Sequence, residues 1–132
     1  MKFSKDVSSS RRKCRKAHFT APSHARRLLM SSALSKELRA SYGIRSLPIR
    51  RNDVVTIKTG QFKGISGKVV KVYRLKMCVY VEGASKKKAD ESLIPVPIDA
   101  SNLQITQLHL DKNREKLLKV RAAGKAKEQT VA

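Results

Sequence analysis

The spacing of apolar residues changes character along the chain, and the changes mark out its parts. Residues 1–20 are polar and basic, with the cluster Arg11, Arg12, Lys13, Arg15 and Lys16 and little that could be buried. Such a stretch is expected to be disordered when free and to order only against a counter-charged partner. Leu28, Leu29, Leu34 and Leu38 then recur at roughly helical spacing, up to Tyr42-Gly43. The spacing predicts a helical region that Ser31-Ser32 splits in two, with Ser23 capping its start after Pro22 and Gly43 terminating it. The apolar stripe is thin, so these helices lean on something besides their own core.

From Asp53 the period shortens to two. Val55, Ile57, Val69, Val70, Val72 and the run Met77–Val81 predict strands, with Gly60, Gly64, Gly67 and Gly83 as turns or bulges between them. Short strands separated by glycine turns predict a small antiparallel barrel. Lys86-Lys87-Lys88-Ala89-Asp90-Glu91 reads as a polar loop, and Pro95 and Pro97 demote Leu93–Ile98 to an edge segment. Leu103 to Leu110 is the expected last strand. Its apolar positions slip by one between Ile105 and Leu108, which calls for a bulge near Thr106 or Gln107. Asp111 is placed to cap a short basic helix that runs to Ala123 and ends at Gly124, with a frayed tail beyond it. The expected architecture is mainly β: a barrel over residues 46–110, an N-terminal helical or extended basic arm over 1–45, and a C-terminal helix and basic tail over 111–132.

Charge gives these parts different work. The chain has 132 residues, 30 Lys+Arg against 10 Asp+Glu, and a formal net charge of +20. Residues 1–51 hold 14 Lys/Arg against Asp6 and Glu37, residues 52–111 hold nine against six, and residues 112–132 hold seven against Glu115 and Glu128. The middle therefore has the balance of an ordinary folded module, and the ends carry most of the excess. A compact chain with that excess repels itself unless an anionic partner neutralises it. The N-terminus has no apolar run of the kind a secretory signal needs, and no stretch approaches the ~20 apolar residues of a membrane span. Cys14 and Cys78 do not make a disulfide framework. The expectation is a soluble intracellular protein.

The most informative stretch is Arg51–Gly83. A hydrophobic strand leads to Gly60 in a turn, followed by Lys63-Gly64, and Gly67-Lys68-Val69 opens the next strand. A turn over Thr59–Gly64 exposes backbone N–H groups with no bulky Cβ nearby, so a phosphate or sugar edge can approach. Lys58, Lys63 and Lys68 ring it with positive charge. Phe62 at its tip has two readings, a stacking platform for an unpaired base or a lid on the open end of the barrel. This stretch resembles a KOW motif, a module that is an SH3-like barrel and in many cases binds RNA through that first turn.

The resemblance extends beyond the barrel. Ser9–Lys13, Arg15–Pro22, Leu34–Arg39, Leu47–Arg51 and Leu108–Lys112 are all similar to one family, the KOW-bearing protein of the large ribosomal subunit, number twenty-four in the bacterial series and twenty-six in the eukaryotic. The N-terminal blocks resemble its eukaryotic branch. The resemblance implies a structural constituent of the large subunit that binds the 5′ region of its RNA near the exit of the nascent-chain tunnel and supports assembly and translation. It also implies neighbouring ribosomal proteins as partners, a cytoplasmic location on the ribosome, and assembly in the nucleolus.

The residues expected to meet RNA are Arg11, Arg12, Lys13, Arg15, Lys16, Arg26, Arg27, Arg45, Arg50, Arg51, Lys58, Gly60, Phe62, Lys63, Gly64, Lys68 and Arg74. Cys14 and His18 are spaced like a fragment of a metal site, but no second pair accompanies them, so no metal, cofactor or small-molecule substrate is expected. No nucleophile elbow, phosphate-binding Walker loop or paired carboxylate in an apolar setting points to an enzyme. Two rival readings are a KOW-bearing transcription or RNA-processing factor, a kind of protein that usually carries a further domain, and a membrane-surface cationic protein. The second would need one broad apolar helix face, which the thin leucine stripe does not supply.

Overall fold

A computed structural model describes residues 3–131, and the side chains through residue 124. Helix α1 (Arg11–Phe19) is followed by α2 (Ser23–Leu29), β1 (Ser31–Leu34), α3 (Lys36–Tyr42) and β2 (Ser46–Pro48). Then come β3 (Val54–Ile57), β4 (Ser66–Tyr73), β5 (Cys78–Val81) and the hairpin strands β6 (Ser85–Lys87) and β7 (Leu93–Pro95). A 3₁₀ turn (Ala100–Asn102) leads into β8 (Leu103–Gln107), and α4 (Lys112–Val131) follows.

Six strands form one sheet in the order β2-β1-β8-β3-β4-β5, and β6 and β7 form a second, two-stranded one. The sheet is mostly open, but β5 is also bridged to Ile98 by a pair of backbone bonds, Val79 N to Ile98 O at 2.8 Å and Ile98 N to Val79 O at 3.0 Å. That bridge ties the far edge of the sheet to the segment leading into β8. The mainly β, SH3-like expectation holds. Its core is the alternating inward set: Leu47, Val55, Ile57, Val69, Val79, Leu103 and Ile105 are each almost wholly buried. Gly67 marks a very tight approach of two strands. A Cβ there would lie 2.3 Å from the Glu82 carbonyl oxygen, so no larger residue fits.

Two bulges leave a signature in the register, the one expected near Thr106 and a second in β4. Between β3 and β8, Val54 faces Gln107 while Val55 faces Ile105, which leaves Thr106 as the extra residue where the slip of period placed it. Its hydroxyl donates to Val54 O at 3.1 Å. Between β4 and β5, Val69 faces Val81 and Lys71 faces Tyr80, so Val70 is the extra residue and stands 52% exposed.

Several expectations need correction. Residues 11–19 are helical, although none of them is buried. Local propensity and an Arg15–Phe19 contact one turn apart, 4.7 Å from guanidinium to ring, support that helix without a core. Ser23 is the first helical residue, with Pro22 in the capping position. The leucines from 28 to 38 do not share a helix face. Ser31–Leu34 is a strand, antiparallel to β2 and parallel to β8, with Ser32 and Leu34 buried and Leu28 and Leu29 exposed before it. Pairing with β8, some seventy residues downstream, overrides the local period. Ser35 then caps α3, accepting from Leu38 N, and Gly43 ends it at φ 64°, as expected.

Nearer the C-terminus, the polar loop at 86–91 is partly strand, because Ser85–Lys87 pairs with Leu93–Pro95. The last strand stops at Gln107 rather than Leu110, since His109 N turns away to the carboxylate of Asp53 at 2.9 Å. Asp111 does cap α4, accepting from Arg114 N at 2.6 Å, but the helix is not short. It passes through Gly124 and continues to Val131. One glycine in a helix interior costs about 1 kcal/mol, too little to stop a long run of good helix formers.

Candidate nucleic-acid interface

A broad, open groove of about 1070 Å³ crosses one face of the module. Its floor is apolar, formed by Ile49, Val70 and Val72, and its walls are Arg27, Arg50, Arg51, Lys71 and Arg74 with no acidic side chain among them. Local chemistry explains why these residues meet. The turn after β2 is held by Asp53, whose carboxylate accepts from Arg50 N at 2.9 Å. Asn52 N donates to Val69 O at 3.0 Å and Val69 N to Asp53 O at 2.9 Å, which lays that turn against β4. The bulge at Val70 then swings Val70 and Lys71 outward into the groove.

The five cations are not equivalent. Arg50 pairs with Asp111 at 2.8 Å, so part of its charge is already answered. Arg74 donates to Ser23 Oγ at 3.1 Å, which anchors the base of α2 without neutralising the charge. Lys71 sits 4.5 Å from the Tyr73 ring centroid. Arg51 is exposed and makes no side-chain hydrogen bond or ion pair among the described residues. A row of cations over an apolar floor can neutralise a phosphate backbone and pack against its sugars.

The other expected contact residues fall in separate places. Arg11, Arg12, Lys13, Arg15 and Lys16 lie exposed on α1, with His18 edge-on to Phe19 at 5.1 Å. Arg45 is exposed just before β2, and Lys68 is exposed on β4. Lys58, Gly60, Lys63 and Gly64 form the turn between β3 and β4, closed by Gly64 N to Ile57 O at 2.8 Å, with Gly60 and Gly64 at φ 96° and 89°. Phe62 in that turn is half-buried, one part packed against the core and the rest open to the surface. Arg26 is tied into the protein itself. Its guanidinium donates to Phe19 O at 2.7 Å, Ala21 O at 2.8 Å and Leu75 O at 2.9 Å, which straps α1 and α2 to the turn after β4. It sits on the carbonyl end of α1, where a cation is favoured.

Sequence reasoning passed over a buried ion pair that carries this surface. Asp53 is 0% exposed and Arg114 2%. Arg114 binds both carboxylate oxygens, with Nη2 donating to Oδ2 at 2.8 Å and Nη1 to Oδ1. The same guanidinium donates to His109 O at 2.9 Å and Pro48 O at 3.3 Å. With Arg50 N and His109 N also donating to Asp53, the pair is fully satisfied and locks α4, the end of β8 and the groove turn together. At the surface, Asp111 is held below the usual carboxylate range, first by the Arg114 N–H and then by Arg50. Asp90, which closes the β6–β7 turn, is likewise lowered by its bonds from Ser92. Tyr80 is raised above the ordinary phenol value, first by its hydrogen bond with Cys78.

Among the described residues, no three His, Cys, Asp or Glu side chains converge as a metal site, and no helix is long and apolar enough to cross a membrane. Cys14 is exposed, Cys78 is buried, and both are free thiols.

Fold and groove together define a class: a small SH3-like β module with a cationic face suited to a polyanion. The family model that covers the eukaryotic ribosomal proteins L26 and their archaeal L24 counterparts matches residues 8–121. The chain is 57% identical over 125 residues to the large ribosomal subunit protein uL24 of Schizosaccharomyces pombe, covering 95% of this chain and 98% of that one. It is 54% identical over 124 residues to uL24A of Saccharomyces cerevisiae (94% and 97% covered), and 52% over 125 residues to uL24 of Candida albicans (95% and 98%). The chain belongs to this ribosomal protein family, on its eukaryotic side, and is a structural protein rather than an enzyme.

Proposed function

We propose that the protein binds large-subunit ribosomal RNA through its cationic groove, as a structural constituent of the large subunit. The observation that carries this is the convergence of Arg27, Arg51, Lys71 and Arg74 over an apolar floor with no carboxylate among the lining residues. In the same reading α1 lies along a second stretch of RNA, and Lys63 and Lys68 beside the Gly60 turn make a third contact. Energy comes mainly from released counterions and from shape, with little base-edge reading.

The family supports a finer assignment: the 5′ region of the large-subunit RNA, beside the tunnel exit, among neighbouring ribosomal proteins, with entry during early assembly in the nucleolus and service on cytoplasmic ribosomes. A division of labour follows, in which residues 1–45 act as a basic arm, 46–110 as the docking module, and 111–132 as a helix and tail. Replacing Arg51 and Lys71 together by Glu is expected to weaken binding of a 5′ large-subunit RNA fragment at least tenfold in a filter or anisotropy assay, since two attractive contacts become repulsive. Affinity equal to the unaltered protein's would overturn the groove assignment.

A further inference from the structure

A second concavity, of about 520 Å³, opens beside the Gly60 turn and shares no lining residue with the groove. That size falls in the range of about 300–1,000 Å³ typical of small-ligand sites. Its floor is apolar, with Ile57, Cys78 and Ile98 all buried. Two aromatic side chains, Phe62 and Tyr80, stand on its walls, each half-buried. Among the described residues neither ring is paired with another ring or with a cation.

The polar equipment is selective. The Asn102 backbone is engaged, its oxygen by Lys58 N at 2.8 Å and its N–H by Asp99 O at 3.0 Å, and this fixes the residue in place. Asn102 lines the cavity, and its side-chain amide makes no hydrogen bond among the described residues and is not sealed from outside. An amide offers a donor and an acceptor in one plane. Lys76, Lys86 and Asp99 line the same cavity and are exposed, and Lys76 Nζ lies 5.3 Å from the Tyr73 ring centroid, so cations outnumber the one carboxylate there. At the rim, Gly60 takes φ 96° with open space where a Cβ would lie, so backbone or sugar can come close.

A planar, partly apolar ring with hydrogen-bonding edges matches the two aromatic rings and the amide, and an attached anion matches the two lysines, while Asp99 can accept from an amino group on the ring's edge. A lipid chain would leave the amide and lysines unanswered, and a metal ion would find no cluster of ligands. We propose that this cavity receives one unpaired base of the bound RNA, stacked against Phe62 and Tyr80, its edge meeting the Asn102 amide and its flanking phosphates meeting Lys76 and Lys86. The inference rests on the RNA-binding reading above and adds to it the class of nucleotide, single-stranded and turned out of its stack.

The test measures binding of the full-length protein to labelled hexaribonucleotides, oligo(A) against an abasic hexamer with the same number of phosphates. The protein is expected to prefer oligo(A) by about tenfold, as stacking of one base contributes. Phe62→Leu and Tyr80→Leu, which keep apolar bulk, bring the ratio close to one, mainly by weakening oligo(A). Asn102→Ala, which removes no packing ring, levels the affinities among oligo(A), oligo(C) and oligo(U). A ratio of one in the unaltered protein, or a full ratio retained in both ring variants with the fold intact by circular dichroism, overturns the base site and leaves groove binding standing. Loss of binding to the hexamers and to a 5′ large-subunit RNA fragment alike overturns the RNA reading itself.

Discussion

Asp53 and Arg114 show how much one buried pair can hold in place. Four donors converge on the carboxylate: the backbone N–H groups of Arg50 and His109, and two guanidinium nitrogens of Arg114. Removing either partner leaves a buried charge without its counterion, at a cost of about 3–5 kcal/mol. Asp53→Ala and Arg114→Ala are therefore each expected to lower stability by about that much in urea unfolding, a large share of the about 5–15 kcal/mol typical of a folded protein. A change below about 1 kcal/mol in either variant would show that the pair is dispensable. None of this was legible at the residue level. In sequence Asp53 reads as the polar start of a strand and Arg114 as one of many basic positions on a helix, and their pairing depends on how the end of β8 returns to the start of β3. Val70 carries a plainer signal. Two adjacent valines in a strand of period two mark a bulge, as the slip around Thr106 does, and the bulge is what turns Lys71 into the groove.

At the scale of elements, strands with strong alternation and glycine turns were readable, because local period and burial agree there. Ser31–Leu34 was not. Four residues are too short to show a period, and its partners, β2 and β8, both lie downstream in the chain, the second of them far away. The end of α4 misleads for the opposite reason, a local rule given too much weight: Gly124 in a run of helix formers does not stop the helix. The start of α4 was legible and has a measurable pH signature. Asp111 has its folded pKa lowered by the Arg114 N–H and by Arg50, so its contribution is complete above the ordinary carboxylate value and is lost as pH falls through the lowered one. Acid titration followed by helical circular dichroism is expected to show this limb in the unaltered protein and to lose it in Asp111→Asn. Identical acid limbs in the two proteins would contradict the capping account.

For the whole molecule, the sequence located the charge but not its pattern. It pointed to basic arms around a nearly balanced middle. The structure instead draws Arg27 from the N-terminal region together with Arg50, Arg51, Lys71 and Arg74 around β4, so arm and module share one surface. Arg26, from the same cluster, is bound to backbone carbonyls and serves as a strap. The two neighbours are told apart by the chain's own carbonyls, which no count of charges reveals. A surface that works by phosphate neutralisation has a fixed salt law: log affinity falls with log salt by about 0.7–0.9 per contact. Arg51→Gln and Lys71→Gln are each expected to make that slope shallower by about one contact, whereas Arg26→Gln should act mainly through stability. Slopes unchanged by both groove substitutions would mean that RNA is held elsewhere.

Sedimentation of a cell extract through a sucrose gradient, at low salt and again at high salt, shows whether ribosomal RNA holds this protein in the large subunit. The protein is expected to travel with large-subunit particles at low salt and to be released, if at all, only as salt rises. Protein that remains at the top of the gradient at low salt, apart from those particles, would contradict the account.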